Sequence, residues 1–235
     1  MMKQVSREKV RTFWSKRAEI LHELSCKDSQ VTLENDPDLA AERTRTEAEV
    51  VNTRISLNKS DVVVDLGAGN GRFSFFFAPK VSKVIAVEYV EDFAVSVQRR
   101  AEEACIENIE VLNMPAEDFC RNDHADVIMA SGLLHYLDSD QYDRIAVNIS
   151  RTVKRGGTLL LYESVSILED EYFIDKFSDE LNADYTSLYR TPHQLVKTFS
   201  EHGFEIEEYA PFFAEGNALN RRLETRLYYF IFRRK

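Results

Sequence analysis

The stretch Val62-Val63-Val64-Asp65-Leu66-Gly67-Ala68-Gly69-Asn70-Gly71 decides the fold of this chain. Three β-branched residues in a row are typical of a buried strand, and the glycines after them indicate a tight turn into a helix. Glycines at this place let backbone N–H groups approach a ligand, because no side chain fills the space. A turn with a purely structural role uses the same residues, so the loop alone does not establish a binding site.

The spacing of the glycines and a later acid narrow the choice of ligand. Gly67, Gly69 and Gly71 form G-x-G-x-G, whereas the dinucleotide pattern G-x-G-x-x-G requires a glycine where this chain has Arg72. The lysine and hydroxyl residue that end a phosphate-binding P-loop are also missing. Glu88 closes the next apolar run, and a carboxylate at that strand end accepts hydrogen bonds from ribose hydroxyls. The loop and the acid together predict a ligand that contains ribose.

Apolar runs alternate with helical stretches on both sides of this loop. The predicted strands of this part lie at 62–66, 83–88, 109–112, 125–130 and 157–162. The helices between them lie at 72–78, 91–103 and 141–153. Because these strands lack polar alternation, both of their faces are expected to be buried, as in a parallel sheet. The pattern predicts a doubly wound α/β fold.

The last part of the chain continues the pattern more loosely. Thr191-Pro192-His193-Gln194 combines an N-cap hydroxyl, a proline at the first helical position and a capping-box glutamine, and Gly203 ends the helix. Two further strands are predicted at 204–209 and 227–233, with a long loop over 212–223 between them. The region 61–235 is therefore interpreted as one Rossmann-like domain.

Two segments lie outside this alternation. Residues 1–60 show no strand pattern and are predicted to form an N-terminal helical cap, with one amphipathic helix over 5–24 and a second that Pro37 opens, after a turn at Asn35. Residues 164–190, after the fifth strand, are rich in acids and aromatic side chains. The bare α/β fold does not need this segment, so we interpret it as a lid-like insertion.

Composition limits the partners. The 235 residues carry a formal net charge of −10, which argues against nucleic acid as a partner. The three cysteines, Cys26, Cys105 and Cys120, form no C-x-x-C pair, so they predict reduced thiols rather than a disulfide frame or a metal site. Neither a secretion signal nor a membrane span is recognisable, so no membrane association and a cytoplasmic location are expected.

A family resemblance becomes specific at this point. VVVDLGAGNGRFSFFFA and VIAVEYVEDFA resemble the first two motifs of class I S-adenosylmethionine-dependent methyltransferases, and NMPAEDF, ADVIMASGLLHYLD and VKRGGTLLLYES match later ones in order. The resemblance covers roughly residues 50–165. It implies a seven-stranded, mostly parallel sheet whose last strand is antiparallel. It also implies S-adenosylmethionine as the cofactor, with S-adenosylhomocysteine as the product.

The resemblance further implies which residues hold the cofactor. Asp65 and the loop would meet the methionine portion, Glu88 the ribose and Tyr89 the adenine ring. Ala116 and Glu117 would lie at the adenine edge, although this chain has Pro115 where many members carry an acid. Ser131 and Gly132 would flank the methionine carboxylate and the departing methyl group. The loop residues in this set are Gly67, Ala68 and Gly69.

Acceptor chemistry is the least determined part of the sequence. His135, three residues after Gly132, is the candidate general base, because an imidazole takes a proton near neutral pH. We expect the acceptor to be a small molecule, aromatic or cationic in character, whose methylated atom is O or N and whose role lies in secondary-metabolite biosynthesis. The residues expected to line its site are Trp14, Tyr136, Tyr172, Tyr185, Tyr189 and Arg190.

Other functions remain open on the sequence. A protein or RNA methyltransferase is the enzymatic alternative, and an acidic rim would suit a basic protein tail. A DNA adenine methyltransferase is disfavoured, because Ala130-Ser131-Gly132-Leu133 replaces the Asn/Asp-Pro-Pro-Tyr/Phe stretch. A non-catalytic cofactor-binding subunit and a nicotinamide oxidoreductase are the further alternatives.

Overall fold

The computed structural model describes residues 4–19, 29–34, 36–178 and 181–235. The end of the predicted first helix, Cys26 and the turn at Asn35 lie outside these ranges. Among the helices of the described ranges, none combines the length and apolar character that a membrane span requires.

The centre of the molecule is a seven-stranded sheet, and this confirms the predicted α/β class. Its strands are β1 (Val62–Leu66), β2 (Lys83–Glu88), β3 (Ile109–Asn113), β4 (Ala125–Ser131), β5 (Val153–Ser166), β8 (Phe204–Pro211) and β9 (Thr225–Arg234); β6 (Tyr172–Ser178) and β7 (Ala183–Tyr189) form a separate pair. The order across the sheet is β3-β2-β1-β4-β5-β9-β8. Strand β9 runs antiparallel to both of its neighbours, as the family resemblance implied.

Seven helices accompany these strands in the described part of the chain. They are α1 (Arg7–Glu19), α2 (Ser29–Thr32), α3 (Pro37–Arg54), α4 (Arg72–Phe77), α5 (Glu91–Glu103), α6 (Ser139–Thr152) and α7 (Pro192–Glu201). The predicted capping box of α7 is confirmed, since the Thr191 side chain accepts from the N–H of Gln194 and the Gln194 side chain accepts from the N–H of Thr191. Helix α3 begins after Asp36, whose carboxylate accepts from two backbone amides of its first turn.

The core lies on both faces of the sheet because successive strand residues point in opposite directions. Val64 of β1 belongs to the cluster that packs against α6 and α7, including Ile145 and Phe199. Its neighbour Val63 belongs to the cluster on the other face, which α3, α4 and α5 cover. Two-sided burial explains why the strands read as unbroken apolar runs.

Strand β5 is longer than predicted, and the reason is its edge pairing. The sequence indicated residues 157–162, whereas the strand spans Val153–Ser166. Its second half pairs with β9 from Thr158 to Ser166. Its first half includes Gly156 at a positive φ of 75° and a register shift against β4. The sequence pattern did not reveal either end, because distant strands supply the partners.

The predicted insertion forms a β-hairpin. Strands β6 and β7 pair antiparallel from Tyr172 with Tyr189 to Ser178 with Ala183. One face of the hairpin packs on α1, where the rings of Phe13 and Tyr185 meet edge to face at 5.5 Å. The hairpin and α1 therefore lie together over the carboxyl ends of the strands.

A buried ionic cluster ties the helical cap to the sheet. The carboxylate of Glu47 in α3, fully buried, is bonded to the guanidinium groups of Arg43 and Arg72. The Tyr162 hydroxyl of β5 donates to the Glu47 carbonyl at 2.8 Å. Burial alone would raise the pKa of Glu47, but the two arginines outweigh it and the pKa is lowered. Because Arg72 opens α4, the cluster fixes the end of the glycine loop relative to α3.

Candidate functional site

The glycine loop follows β1 and has the backbone that its sequence predicts. Gly67 and Gly69 have positive φ values of 69° and 56°, which side-chain-bearing residues rarely adopt. A Cβ atom added to Gly69 would lie 2.8 Å from a methyl carbon of Val31 in α2. The N–H groups of Gly67 and Ala68 donate to the carbonyl of Val87 at 2.9 and 3.0 Å. The loop is thus held against the end of β2 with its glycines under the cap.

Glu88 lies beside the loop, as its sequence position predicted. Its carboxylate accepts from the N–H of Gly69 at 2.7 Å through Oε2 and from the N–H of Val90 at 2.7 Å through Oε1. Burial raises the pKa of Glu88 to about 7, against the lowering effect of these backbone bonds. A buried carboxyl with such a pKa at the mouth of a crevice is typical of a functional site.

Asp65 has a different position from the other predicted cofactor residues. Its carboxylate accepts from the Ser74 hydroxyl at 2.6 Å, and burial raises its pKa to about 6. Neither Asp65 nor Ala68 lines the cavity beside the loop. The structure therefore assigns Asp65 contacts that brace the loop against α4.

A cavity, which we name the glycine-loop cavity, opens at the carboxyl ends of β1, β2 and β4. Apolar side chains of the cap and of α5 form its roof, among them Trp14, Val31 and Phe93. The predicted cofactor residues that line it are Gly67, Gly69, Glu88, Tyr89, Ala116, Glu117, Ser131 and Gly132. Residues from four separate loops thus meet in one place, as the motif order implied.

One end of this cavity contains a carboxylate with two partners. Glu117 is buried, and its Oε1 accepts from Gln141 Nε2 at 2.6 Å and from the guanidinium of Arg7. Its Oε2 makes no hydrogen bond to a described residue. Arg7 is the first residue of α1, so this ion pair connects the N-terminal cap to this end of the cavity. The adenine edge of the cofactor was predicted to lie at the same end.

His135 is paired with a carboxylate that the sequence analysis did not single out. Its Nδ1 lies 2.9 Å from Oε2 of Glu163, and both side chains are buried. The other oxygen of Glu163 accepts from the N–H groups of Leu133 and Leu134 at 2.8 Å each. Glu163 therefore shapes the 3₁₀ turn that follows β4 and orients the imidazole that the turn carries.

A second cavity, which we name the hairpin cavity, lies between the hairpin, the cap and the segment 213–227. Its volume is about 420 Å³. His135, Tyr136, Tyr185 and Tyr189 line it, together with Trp14. The Tyr185 hydroxyl is 3.2 Å from that of Tyr136 and 2.8 Å from that of Tyr189. The Tyr189 ring stacks on His135 at 5.2 Å, so four predicted acceptor or catalytic residues form one cluster.

The two cavities share a wall. Trp14, Val31, Gly132 and Tyr136 line both of them. Gly132, at a φ of 64°, follows β4, and its N–H donates to the Tyr162 carbonyl at 2.7 Å. The wall is therefore the place where a group bound beside the glycine loop and a group bound under the hairpin come closest.

Arg190 and Tyr172 lie away from this wall. The Arg190 guanidinium donates to the Leu134 carbonyl at 3.0 Å and lies 3.6 Å from the centre of the Tyr142 ring. Burial lowers its pKa. Neither Arg190 nor Tyr172 lines the two cavities described above. The structure gives Arg190 contacts with the turn that carries His135, and its contact with an acceptor stays a prediction.

The site contains residues that the sequence analysis missed. Glu163 was visible within VKRGGTLLLYES, but its role depends on the pairing of Ser131 with Tyr162 across β4 and β5. Arg7 and Glu117 are 110 positions apart in the sequence, and no local sequence pattern predicts a contact between them. The sequence offered one signal for Glu163, an acid directly after the predicted fifth strand at 157–162.

Comparisons with known proteins agree with this geometry. Residues 63–157 match the family model described as a methyltransferase domain. A curated relative, the "Probable cobalt-precorrin-6B C(15)-methyltransferase (decarboxylating)" of Archaeoglobus fulgidus, is 29% identical over 105 residues, 43% of this chain and 62% of that protein. Phosphoethanolamine N-methyltransferase 1 of Triticum aestivum is 24% identical over 152 residues, 62% of this chain and 28% of that protein. The chain thus spans less than two thirds of the length of these relatives.

A solved structure shows the same fold. Phosphoethanolamine N-methyltransferase 1 of Haemonchus contortus, in complex with phosphoethanolamine and S-adenosylhomocysteine, superposes with a TM-score of 0.70 at 18% identity, over 96% of this chain and 48% of that chain. Residues 63–157 thus match a methyltransferase domain, and the superposition shows that this chain has the fold of that structure. That structure contains S-adenosylhomocysteine, the demethylated form of S-adenosylmethionine, which is the cofactor that the sequence motifs imply for this chain.

The residues of the glycine-loop cavity fit that cofactor. The loop offers a cradle at Gly69 that a Cβ atom would fill, and Glu88 places a carboxylate beside it. The rings of Trp14 and Phe93 supply aromatic roof surface, which favours a sulfonium cation and a purine ring. Backbone, carboxylate and aromatic groups therefore match the amino-acid, ribose and base portions of the cofactor.

Proposed function

We propose that this protein transfers the methyl group of S-adenosylmethionine to a nitrogen or oxygen atom of a small molecule bound in the hairpin cavity. The observation that carries the proposal is the shared wall at Trp14, Gly132 and Tyr136, where the glycine-loop cavity and the hairpin cavity meet. A role in secondary-metabolite biosynthesis is part of the same proposal. The small-molecule acceptor is supported by relatives whose names specify such acceptors.

The protein's contribution would be positioning and exclusion of water. When bound, the cofactor supplies an electrophilic methyl group on a sulfonium. Glu88 would hold the ribose, Glu117 the adenine amine, and Ser131 with Gly132 the methionine end. Orientation of two reacting groups in this way lowers a barrier by about 7–11 kcal/mol. The cap residues 1–60 and the hairpin within 164–190 would close the site from above.

His135 would act as the general base. A carboxylate at Nδ1 favours the tautomer in which that nitrogen carries the proton, which leaves Nε2 free to accept one. Proton removal from the acceptor atom at Nε2 makes an imidazolium, and Glu163 stabilises its charge. This arrangement suits a hydroxyl or an ammonium acceptor, both of which must lose a proton.

Aromatic residues support an acceptor with a planar or ammonium group near the wall. Trp14 and Tyr136 meet edge to face at 5.5 Å, and Phe13 meets Trp14 at 5.1 Å. Ring faces attract cations, and this attraction is worth about 0.5–2 kcal/mol. The same rings would stabilise a methylated ammonium product.

Cofactor binding is tested by calorimetric titration of S-adenosylhomocysteine. Glu88→Ala should weaken binding about 10- to 100-fold, since it removes hydrogen bonds to a charged group. Gly69→Val should abolish binding, because its side chain would occupy the cradle under Val31. The exposed Glu91→Ala is the matched control for Glu88. Unchanged affinity in both Glu88→Ala and Gly69→Val would refute the cofactor site.

Turnover is tested by release of S-adenosylhomocysteine in the presence of small amines, phenols, a basic peptide and RNA. The proposal expects release with a member of the first two groups. Release with peptide or RNA alone would replace it by the macromolecular alternative. Tight cofactor binding without release on any acceptor would indicate a non-catalytic subunit. Binding of a nicotinamide dinucleotide in place of S-adenosylhomocysteine would indicate an oxidoreductase.

The hairpin's role is tested separately. Replacement of Tyr185 and Tyr189 by Ala removes the stacked and hydrogen-bonded rings of the hairpin cavity. Turnover should fall while affinity for S-adenosylhomocysteine stays within about twofold of the wild type, because neither residue lines the glycine-loop cavity. An equal loss of both properties would contradict a lid over the acceptor.

A further inference from the structure

The hairpin cavity has a charge opposite to that of the whole protein. The chain carries a net charge of −10. Yet among the described residues the cationic side chains lining this cavity are Arg43, Lys176, Arg221, Arg222 and Arg226, against one carboxylate, that of Glu34. An acidic protein that gathers positive charge around one cavity creates a local field that attracts anions.

Part of this positive charge is already neutralised. Glu34 lies 3.4 Å from Arg43 and 3.4 Å from Arg221, and Arg43 is also bonded to Glu47. These contacts tie the cap to the segment before β9. The Glu34 carboxylate is therefore already paired with Arg43 and Arg221, and neither Arg222 nor Arg226 takes part in these ion pairs.

The charges of Arg222 and Arg226 are not neutralised by a carboxylate of the described residues. Arg226 Nη1 donates to the backbone carbonyls of Arg222 and Thr225, at 2.5 and 2.7 Å, which fixes the side chain without cancelling its charge. Arg222 has its guanidinium carbon 5.4 Å from the centre of the Tyr185 ring, and it has no carboxylate partner among the described residues. Two guanidinium groups four positions apart therefore lie at one cavity, and no carboxylate of the described residues is paired with either of them.

Their position relative to the shared wall is defined by the tyrosine cluster. Arg222 contacts the ring of Tyr185, whose hydroxyl is 3.2 Å from that of Tyr136 in the wall. The cationic end of the hairpin cavity is thus one aromatic ring beyond the place where methyl transfer would occur. A small molecule that reaches both points needs a reactive atom at one end and a complementary group at the other.

We propose that the acceptor carries an oxyanion, phosphate or carboxylate, which Arg222 and Arg226 bind at the end of the hairpin cavity away from the shared wall. This inference rests on the proposed function and specifies its substrate class. Guanidinium groups bind such oxyanions through paired, charge-assisted hydrogen bonds. A bound oxyanion also relieves the repulsion among the cations of the lining. It combines with the aromatic wall to select a molecule with a reactive amine or hydroxyl at its other end.

The test uses Trp14, the single tryptophan of the chain, as a fluorescent reporter in the wall. The protein, saturated with S-adenosylhomocysteine, is titrated with phosphoethanolamine and with ethanolamine, which lacks the phosphate. Inorganic phosphate and acetate, titrated alone, separate the two oxyanion types. We expect phosphoethanolamine to bind at least about tenfold more tightly than ethanolamine, and added salt to weaken the first more than the second.

Substitutions assign the effect to the arginines. Arg222→Met should weaken phosphoethanolamine binding about 10- to 100-fold and leave ethanolamine binding unchanged. Arg222→Lys, which keeps the charge but loses the guanidinium fork, should recover part of the affinity. Arg99→Met, at an exposed arginine of α5 paired with Glu103, is the matched control. Affinity for S-adenosylhomocysteine and the thermal midpoint are measured on every variant.

Each outcome has a defined meaning. Equal binding of phosphoethanolamine and ethanolamine, with neither phosphate nor acetate altering the fluorescence, would refute the oxyanion site. Discrimination that survives Arg222→Met combined with Arg226→Met would refute the assignment to these arginines. Either result, with S-adenosylhomocysteine binding intact, would leave the proposed methyl transfer standing. Failure of the wild-type protein to bind S-adenosylhomocysteine would instead overturn the proposed function itself.

Discussion

Glu88 gives the sharpest quantitative prediction, because its carboxyl group is buried and bonded to two backbone amides. Its pKa is about 7 in the folded protein, against an ordinary value of 4.5. Between these two values the folded state keeps a proton that the unfolded chain has lost. The free energy of unfolding therefore falls as pH rises from about 4.5 to about 7, and the dependence that Glu88 causes ends above that range.

The size of this effect follows from the two pKa values. Each pKa unit corresponds to about 1.36 kcal/mol, so the shift of Glu88 amounts to about 3 kcal/mol of stability lost across the range. In Glu88→Gln the side chain cannot ionise, and this part of the pH dependence should vanish. The amide also loses one acceptor for the N–H of Gly69 or Val90, which costs about 1–3 kcal/mol at every pH. The substitution therefore has two separate effects on the free energy of unfolding: it lowers the value at every pH, and it removes the decline between pH 4.5 and about 7 that Glu88 causes.

Urea unfolding of the ligand-free protein at intervals between pH 4.5 and 8 measures both quantities. The wild-type curve should decline more steeply than that of Glu88→Gln, with the difference growing to about 3 kcal/mol. Glu91→Gln, at an exposed acid of the next helix, should run parallel to the wild type. Parallel curves for the wild type and Glu88→Gln would refute the claim that a buried, proton-retaining carboxyl lies beside the glycine loop.

Three further predictions concern ligand binding, the cap and the base. Affinity for S-adenosylhomocysteine should rise from pH 5.5 to 8 in the wild type, because ribose hydroxyls donate to ionised Glu88, and calorimetry on Glu88→Gln should show no such rise. Glu47→Ala should destabilise the protein by about 3–5 kcal/mol in urea unfolding, since it removes the buried carboxylate to which two largely buried guanidinium groups are bonded, while the exposed Glu49→Ala should stay within about 0.5 kcal/mol. Glu163→Gln should lower kcat about 100-fold or more without changing cofactor affinity, because an amide no longer holds His135 in the proton-accepting tautomer, and an unaltered kcat would remove the base from the mechanism.

Local patterns were sufficient for the parts of the fold that sequence neighbours determine. The bounds of β1 and β2, the capping box at Thr191 and the stop at Gly203 all agree with the structure, because each depends on residues within a few positions. The glycine loop belongs to the same group. Its positive φ values follow from residue type alone, as at Gly67 and Gly69.

Elements that depend on distant partners were less predictable. The hairpin strands β6 and β7 were recognised only as an aromatic, acidic insertion, since their stability comes from pairing with each other and from packing on α1. Strand β5 continues to Ser166 because β9 pairs with it. Turn-forming residues in the sequence predict where a strand ends. They do not show how far pairing with a strand distant in sequence extends it.

The same distinction holds for the site. Gly69, Glu88 and Ser131 meet because parallel strands end at one edge of the sheet, and this rule can be applied to the amino-acid sequence alone. Glu163 and Arg222 reach the site through register and through the return of the chain before β9. Motifs therefore located the glycine-loop cavity, and tertiary structure was needed to find the hairpin cavity.

The shared wall has a thermodynamic consequence. Trp14 and Tyr136 belong to both cavities, and Arg7, two turns before Trp14 on α1, is bonded to Glu117 at the far end of one of them. A ligand that orders α1 from one side lowers the entropic cost of ordering it from the other. By linkage, the factor by which the cofactor changes acceptor affinity equals the factor by which the acceptor changes cofactor affinity. In the proposed function, helix α1 would therefore couple binding of the cofactor to binding of the acceptor.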